Sequence, residues 1–121
     1  MITELDVNHL LYRFCITRNY RGTDYAAYTI LLTTQDITRV QLITKRLYPD
    51  VADHFGIQPH SVERDIRTLI RHIWEHDPES FYWVTGIRLQ KMPTNARFVA
   101  MLADLLIRQD KWRDGEFACN L

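Results

Sequence analysis

Cysteine is scarce in this chain, and the two that occur, Cys15 and Cys119, stand far apart with no secretory signal ahead of them. That usage argues against a disulfide framework and fits free thiols in a reducing cytoplasm. No apolar run approaches the roughly 18–20 residues that a membrane span needs. Neither sign of charge is in excess: 15 basic side chains stand against 15 acidic ones, so no global field draws the chain to nucleic acid or to a membrane surface. There is no Gly-rich phosphate loop and no nucleophile elbow, and neither cysteine lies in a catalytic motif, which argues against an enzyme or a cofactor. No internal repeat, low-complexity tract or Gly/Ser linker marks a second domain. The 121 residues, 46% of them hydrophobic, are enough for one domain with a modest core. Alternating polar and apolar residues are also missing, so nothing predicts a strand.

What is present is helical periodicity. Thr3 followed by Asp6 has the form of a capping box, and Leu10, Leu11 and Phe14 give an apolar face to a helix over about residues 4–17. Thr23 is a candidate cap for a second helix through about Thr33, burying Ala27, Ile30 and Leu31. Asp36 is expected to cap a third, with Ile37, Val40, Ile43 and Leu47 at helical spacing. Pro49 suits the first position of a short helix ending at Phe55. Asp77-Pro78 starts another that closes near Gly86, and "MPTN" opens the last, with Phe98, Val99, Leu102, Leu105 and Leu106 inward. The expected fold is therefore all-α, about six helices in one compact domain over residues 1–121.

The segment "ADHFGIQPHSVERDIRTLIRHIW" ends one helix at Gly56 and restarts another after Pro59. A small residue, a glycine four positions later and an aliphatic six beyond that are the spacing of a helix-turn-helix, here Ala52, Gly56 and Val62. The motif is expected over about residues 49–76, its second helix over about 60–76. At about 100° per residue, Val62, Ile66, Leu69, Ile70 and Ile73 fall in one stripe. His60, Arg64, Arg67, Thr68 and Arg71 fall opposite, with Glu63 at the margin. A helix pinned by its back presents its first turns to the major groove of DNA. An amphipathic helix with a solvated Arg/Glu face is also commonplace, and Glu63–Arg67 is a stabilising i,i+4 pair that needs no DNA. The arginine bias leans toward DNA. Twelve of the 15 cations are arginine, the side chain suited to forked contacts with phosphate and guanine.

"LITKRLYPDVADHFGIQPHSVERDIRTLI", together with the later "PTNARFVAMLADLL", resembles the C-terminal effector domain of the sporulation-initiation response regulators, the stage zero sporulation protein A family. The likeness is strong over about residues 42–74 and 91–106. One departure is Met92, which separates Lys91 from Pro-Thr-Asn. The resemblance implies a six-helix domain that binds a short asymmetric box in double-stranded DNA, with tandem copies head to tail or a homodimer. It assigns the groove-facing, base-reading places to His60, Ser61, Glu63, Arg64 and Arg67. The family has Ser-Arg where His60 and Ser61 stand, so one cationic base contact is absent and a relaxed box is expected. Phosphate contacts are expected from Arg71 and from Lys91, Thr94 and Asn95 around the start of the last helix. For Arg71, simple solvation is the alternative. Starting at Met1, the chain is expected to stand free of the receiver domain that precedes this domain in the family. RNA polymerase or a separate regulator is a further candidate partner, although "EHDPESFYWVTG" is shorter than and unlike the family's polymerase-contacting surface. The expected location is the bacterial cytoplasm, at the nucleoid when bound.

Two other features carry weaker signals. His72 and His76 are spaced i,i+4, but Ile73 stands where a zinc protease has its glutamate, and no third ligand is fixed nearby, so no metal is expected. Phe81, Tyr82 and Trp83 cannot all point inward from one helix. A core residue with rim aromatics is the simpler reading, a partner surface the other. The same two readings apply to Trp112. Two function classes remain: a sequence-specific DNA-binding regulator, and a protein-interaction module of the same fold that has lost DNA binding.

Overall fold

The computed structural model describes residues 1–14 and 21–113. Among them there are helices and no strand: α1 (Glu4–Tyr12), α2 (Arg21–Gln35), a 3₁₀ stretch (Ile37–Leu42) that runs into a π turn (Ile43–Leu47), α3 (Tyr48–Phe55), α4 (Pro59–His76), α5 (Ser80–Thr85) and α6 (Asn95–Arg113). They close around one core, to which every α-helix contributes.

The capping box of α1 is formed. Thr3 Oγ1 accepts from the Asp6 N–H at 3.3 Å, and the Asp6 carboxylate accepts from the Thr3 N–H at 2.8 Å. That backbone donor, more than the Arg113 guanidinium 3.3 Å away, holds the Asp6 carboxyl below its ordinary value. The helix ends at Tyr12, earlier than its apolar pattern suggests, yet Phe14 is still buried. Cys15 and Cys119 lie outside the described residues.

Thr23 is not a cap. It lies inside α2 with its side chain buried, because the helix has already begun by Arg21. Buried threonines further along α2 satisfy their hydroxyls on their own helix: Thr29 Oγ1 donates to the Tyr25 carbonyl at 2.6 Å and Thr33 Oγ1 to the Thr29 carbonyl at 2.8 Å. Asp36 does cap the next element, accepting from the N–H and the hydroxyl of Thr38. That element is not an α-helix. Ile37, Val40 and Ile43 are spaced by three, which matches the three residues per turn of a 3₁₀ helix. The wider π turn then brings Leu47 fully into the core, while Ile37 and Leu42 stay exposed.

The helix-turn-helix is built as its spacing requires. Gly56 caps α3 in the left-handed region (φ 69°, ψ 36°), and the Ile57 N–H reaches back to the Ala52 carbonyl at 3.0 Å. A Cβ on Gly56 would meet nothing within 4 Å, so its backbone angle alone calls for glycine. Pro59 opens α4, and Val62, Ile66, Leu69, Ile70 and Ile73 are all buried. Beyond the Gly86 cap of α5, also left-handed (φ 77°), the chain runs to α6. There Phe98, Val99, Leu102 and Leu106 point inward, while Leu105 is only half-buried. Phe81 joins Phe14 and Phe98 in an aromatic cluster with ring centres 5.4–6.1 Å apart. Tyr82 and Trp83 face out, Trp83 with 72% of its surface exposed, so the triplet is one core residue with two outer ones.

One contact escaped the periodicity. At Gly22, α2 crosses α4 so closely that a Cβ would lie 2.2 Å from the Asp65 carbonyl oxygen. That neighbour is helix backbone and cannot swing aside. Gly22→Ala would gain about 1 kcal/mol of helix propensity but must push the two helices apart, an overpacking cost of about 1–3 kcal/mol. The net change is expected to be a lower melting temperature; an equal or higher one would show that the crossing is looser than this.

Candidate nucleic-acid interface

The solvent face of α4 carries His60, Arg64, Arg67, Thr68 and Arg71, all exposed, with Ser61 and Glu63 half-buried at its edge. These residues share the face because they fall between the five buried aliphatics on a helix anchored by Pro59 and by the turn at Gly56. Arg67 Nη1 lies 2.6 Å from Glu63 Oε1, one turn back, and Arg64 Nε lies 3.3 Å from Asp65 Oδ1. Both pairs are open to water, with Arg64 57% and Arg67 47% exposed, so each contributes only about 0–1 kcal/mol. Bonds this weak hold a guanidinium in place and still release it to a stronger acceptor. Arg71, seven positions past Arg64 and so about 10 Å further along the axis, has no ion pair among the described residues.

The residues expected to hold phosphate are not equivalent. Lys91 and Thr94 are exposed beside the start of α6. Thr94 Oγ1 accepts from the Arg97 N–H at 3.2 Å and so caps α6, keeping its own hydroxyl hydrogen to donate. Asn95 is different. Its side chain is turned inward, and Nδ2 donates to the Tyr48 hydroxyl at 3.0 Å and to the Glu63 backbone carbonyl at 2.9 Å. Both amide hydrogens are therefore spent, and Asn95 ties three elements together where a phosphate donor was expected.

Tyr48 carries no signal in the sequence beyond its place in "LYPD". It is 4% exposed, and burial pushes its phenol above the ordinary tyrosine value, with the Asn95 hydrogen bond pulling the other way. It lines a groove running beside α4 past Glu63 and Arg67 to Thr94. Tyr48 and Asn95 both lie in the family-like segments, where a buried polar pair across 47 positions leaves no local trace.

Elsewhere, the His72 and His76 rings lie 4.2 Å apart, and His76 Nδ1 sits 2.9 Å from the His72 carbonyl oxygen. Among the described residues, no group of three or more His, Cys, Asp or Glu could hold a metal ion. None of their helices is long and apolar enough to cross a membrane. Trp112 is half exposed near the end of α6.

The family model described as Sporulation initiation factor Spo0A C terminal matches residues 7–106. The chain belongs to this family. The match takes in the helix-turn-helix, the α4 face and the start of α6, and it accounts for the all-α fold. Membership in the Spo0A C-terminal family makes this a DNA-binding effector domain of the kind found in sporulation response regulators, a class of transcription regulator and not of enzyme.

The inward turn of Asn95 has a measurable consequence. Asn95→Ala removes one buried and one part-buried hydrogen bond and takes the donor from the buried Tyr48 hydroxyl, which is expected to cost about 1–3 kcal/mol in urea unfolding. The salt dependence of DNA binding should keep its slope. A slope lower by about one with stability unchanged would return Asn95 to the phosphate contacts.

Proposed function

We propose that this protein is a sequence-specific regulator of transcription that binds double-stranded DNA with α4 in the major groove. The observation that carries this reading is the division of α4. Its five buried aliphatics fix the helix against the core, and the opposite side presents Arg64 and Arg67 within its first turns. A docked helix comes nearest the base edges there, where an arginine forked onto guanine O6 and N7 is worth about 1–3 kcal/mol of discrimination. His60 and Ser61 stand beside them in groove-facing places, and Glu63 either accepts from a cytosine amino group or only steadies Arg67. Arg71, Lys91 and Thr94 are assigned to phosphates. A second copy in tandem on the DNA, and RNA polymerase or a separate regulator, are the partners this reading admits. Its place of action is the bacterial nucleoid.

One observation favours the runner-up, an interaction module that has lost DNA binding. Glu63 and Asp65 sit among the arginines and pair with two of them. Salt separates the two readings, because phosphate contacts release counterions and an apolar or neutral protein contact does not.

Selection of bound sequences from a random duplex pool tests the assignment. Arg64→Ala and Arg67→Ala are each expected to flatten base preference while non-specific binding largely survives. Arg71→Ala should weaken binding with preference intact. The same preferences in wild type and Arg64→Ala would sink the recognition-helix reading.

Lys91→Ala should weaken binding evenly across sequences and lower the slope of log affinity against log salt by about one. A change in base preference instead would remove Lys91 from the phosphate contacts.

A further inference from the structure

No carboxylate occurs in the sequence between Glu79 and Asp104, although the chain as a whole is neutral. Within that stretch Arg88, Lys91 and Arg97 line a single cleft of about 320 Å³. A water molecule occupies about 30 Å³, so there is room for a phosphodiester and its surrounding waters. All three cations are exposed, and none has a carboxylate partner among the described residues. Arg64, Arg67, Arg108 and Arg113, in contrast, are each bridged. Three like charges gathered without an acid repel one another, and an anion relieves that repulsion.

Arg88 is also held in position. Its guanidinium carbon lies 4.1 Å from the centre of the Tyr82 ring, a cation–π contact that fixes one face of the fork. The N–H edges remain available for a bidentate grip on phosphate oxygens. The cleft does not stand alone. Met92, Pro93 and Thr94 form one of its walls and also line the groove that runs beside α4 past Glu63 and Arg67. A strand of backbone leaving the α4 face along that groove would arrive at these three cations.

From this continuity we infer that Arg88 and Arg97, with Lys91 beside them in the cleft, seat the DNA sugar–phosphate backbone on one flank of the box that α4 reads. The footprint is longer than the box, and the added length is held by charge without sequence preference. This rests on the DNA-binding reading given above. An acidic protein segment would satisfy the same charges, but it would have no reason to run continuously from the α4 face.

The test measures affinity across a salt series for three duplexes. One contains only the selected box, and the other two extend it by about half a helical turn on one side or the other. The full chain is compared with Arg88→Gln, Arg97→Gln and the double variant. Wild type is expected to bind one of the two extended duplexes more tightly than the bare box and with a steeper slope. The double variant should lose that gain, its slope on the extended duplex falling by about two. Binding to the bare box and the selected sequence should stay unchanged. Each single variant should show about half the loss, which keeps the test valid if the double variant folds poorly. Equal affinity of wild type and both single variants for the extended duplex would overturn the flank cleft, and so would an equal loss on the bare box. A wild type that binds none of the three duplexes would remove the DNA-binding reading itself, and the cleft with it.

Discussion

The exposed arginine face of α4 depends on how little freedom the helix has on its other sides. Gly22 brings the backbone of α2 against the Asp65 carbonyl, leaving no room for even a methyl group between the helices. Asn95 holds the Glu63 carbonyl from α6 and the Tyr48 hydroxyl from α3 at once. The left-handed turn at Gly56 sets the angle at which α4 departs from α3. Each contact acts on backbone or on a buried group, so α4 is positioned as a rigid body. Its long arginines then move on a fixed base. Non-specific apolar packing alone would tolerate small rotations of the helix, and a rotation of one residue would re-aim every arginine on that face.

Where local chemistry decides the structure, it was legible. Pro49, Gly56, Pro59 and the aliphatic stripe of α4 each constrain their own neighbourhood, and the helix-turn-helix fell within a few residues of its place. Asp36 and the Thr3–Asp6 box were equally local. Two kinds of feature stayed hidden. Residues 37–47 carry spacings of three and four together, which a helical period averages into one α-helix, whereas the chain resolves them into a 3₁₀ stretch and a π turn. The roles of Gly22 and Asn95 depend on partners 43 and 32 positions away. A glycine inside a helix reads as a weakness, and a polar side chain at a helix start reads as a ligand, until the facing element is known. Thr23 failed for the related reason that a helix start depends on the residues before it. The candidate interface divided along the same line: the exposed arginines followed from pattern, while the inward turn of Asn95 required the third dimension.

The polar groups inside the domain are few and well spent. Among the described residues, no buried side-chain nitrogen or oxygen is left without a hydrogen-bond partner. Thr29 and Thr33 of α2 use their own helix, and the Tyr48–Asn95 pair uses the junction of three elements. Burying these groups unsatisfied would cost about 1–3 kcal/mol each, a large part of the stability of a domain this size. Aromatic packing fills the other end of the core, where Phe81 lies within 6.1 Å of Phe14, Phe98 and Trp74 and anchors the short α5.

The order of charges along α4 bears on how the protein meets a polyanion. Over residues 59–71 Arg64, Arg67 and Arg71 outnumber Glu63 and Asp65 by one, while Glu75 near the end of the helix and Asp77 and Glu79 just past it have no cation among them. The peptide dipoles of the helix point the same way, with their positive end at Pro59. A neutral molecule feels no net pull from a distant duplex, but a molecule polarised along one axis feels a torque. Under the DNA-binding reading proposed above, once the phosphates come within about 10 Å, the Debye length at ordinary salt, that torque would turn the start of α4 toward the DNA and its acidic end away. On that reading, neutrality would keep the protein from adhering to every polyanion it passes, and the internal polarity would let a larger share of its collisions begin in a productive orientation.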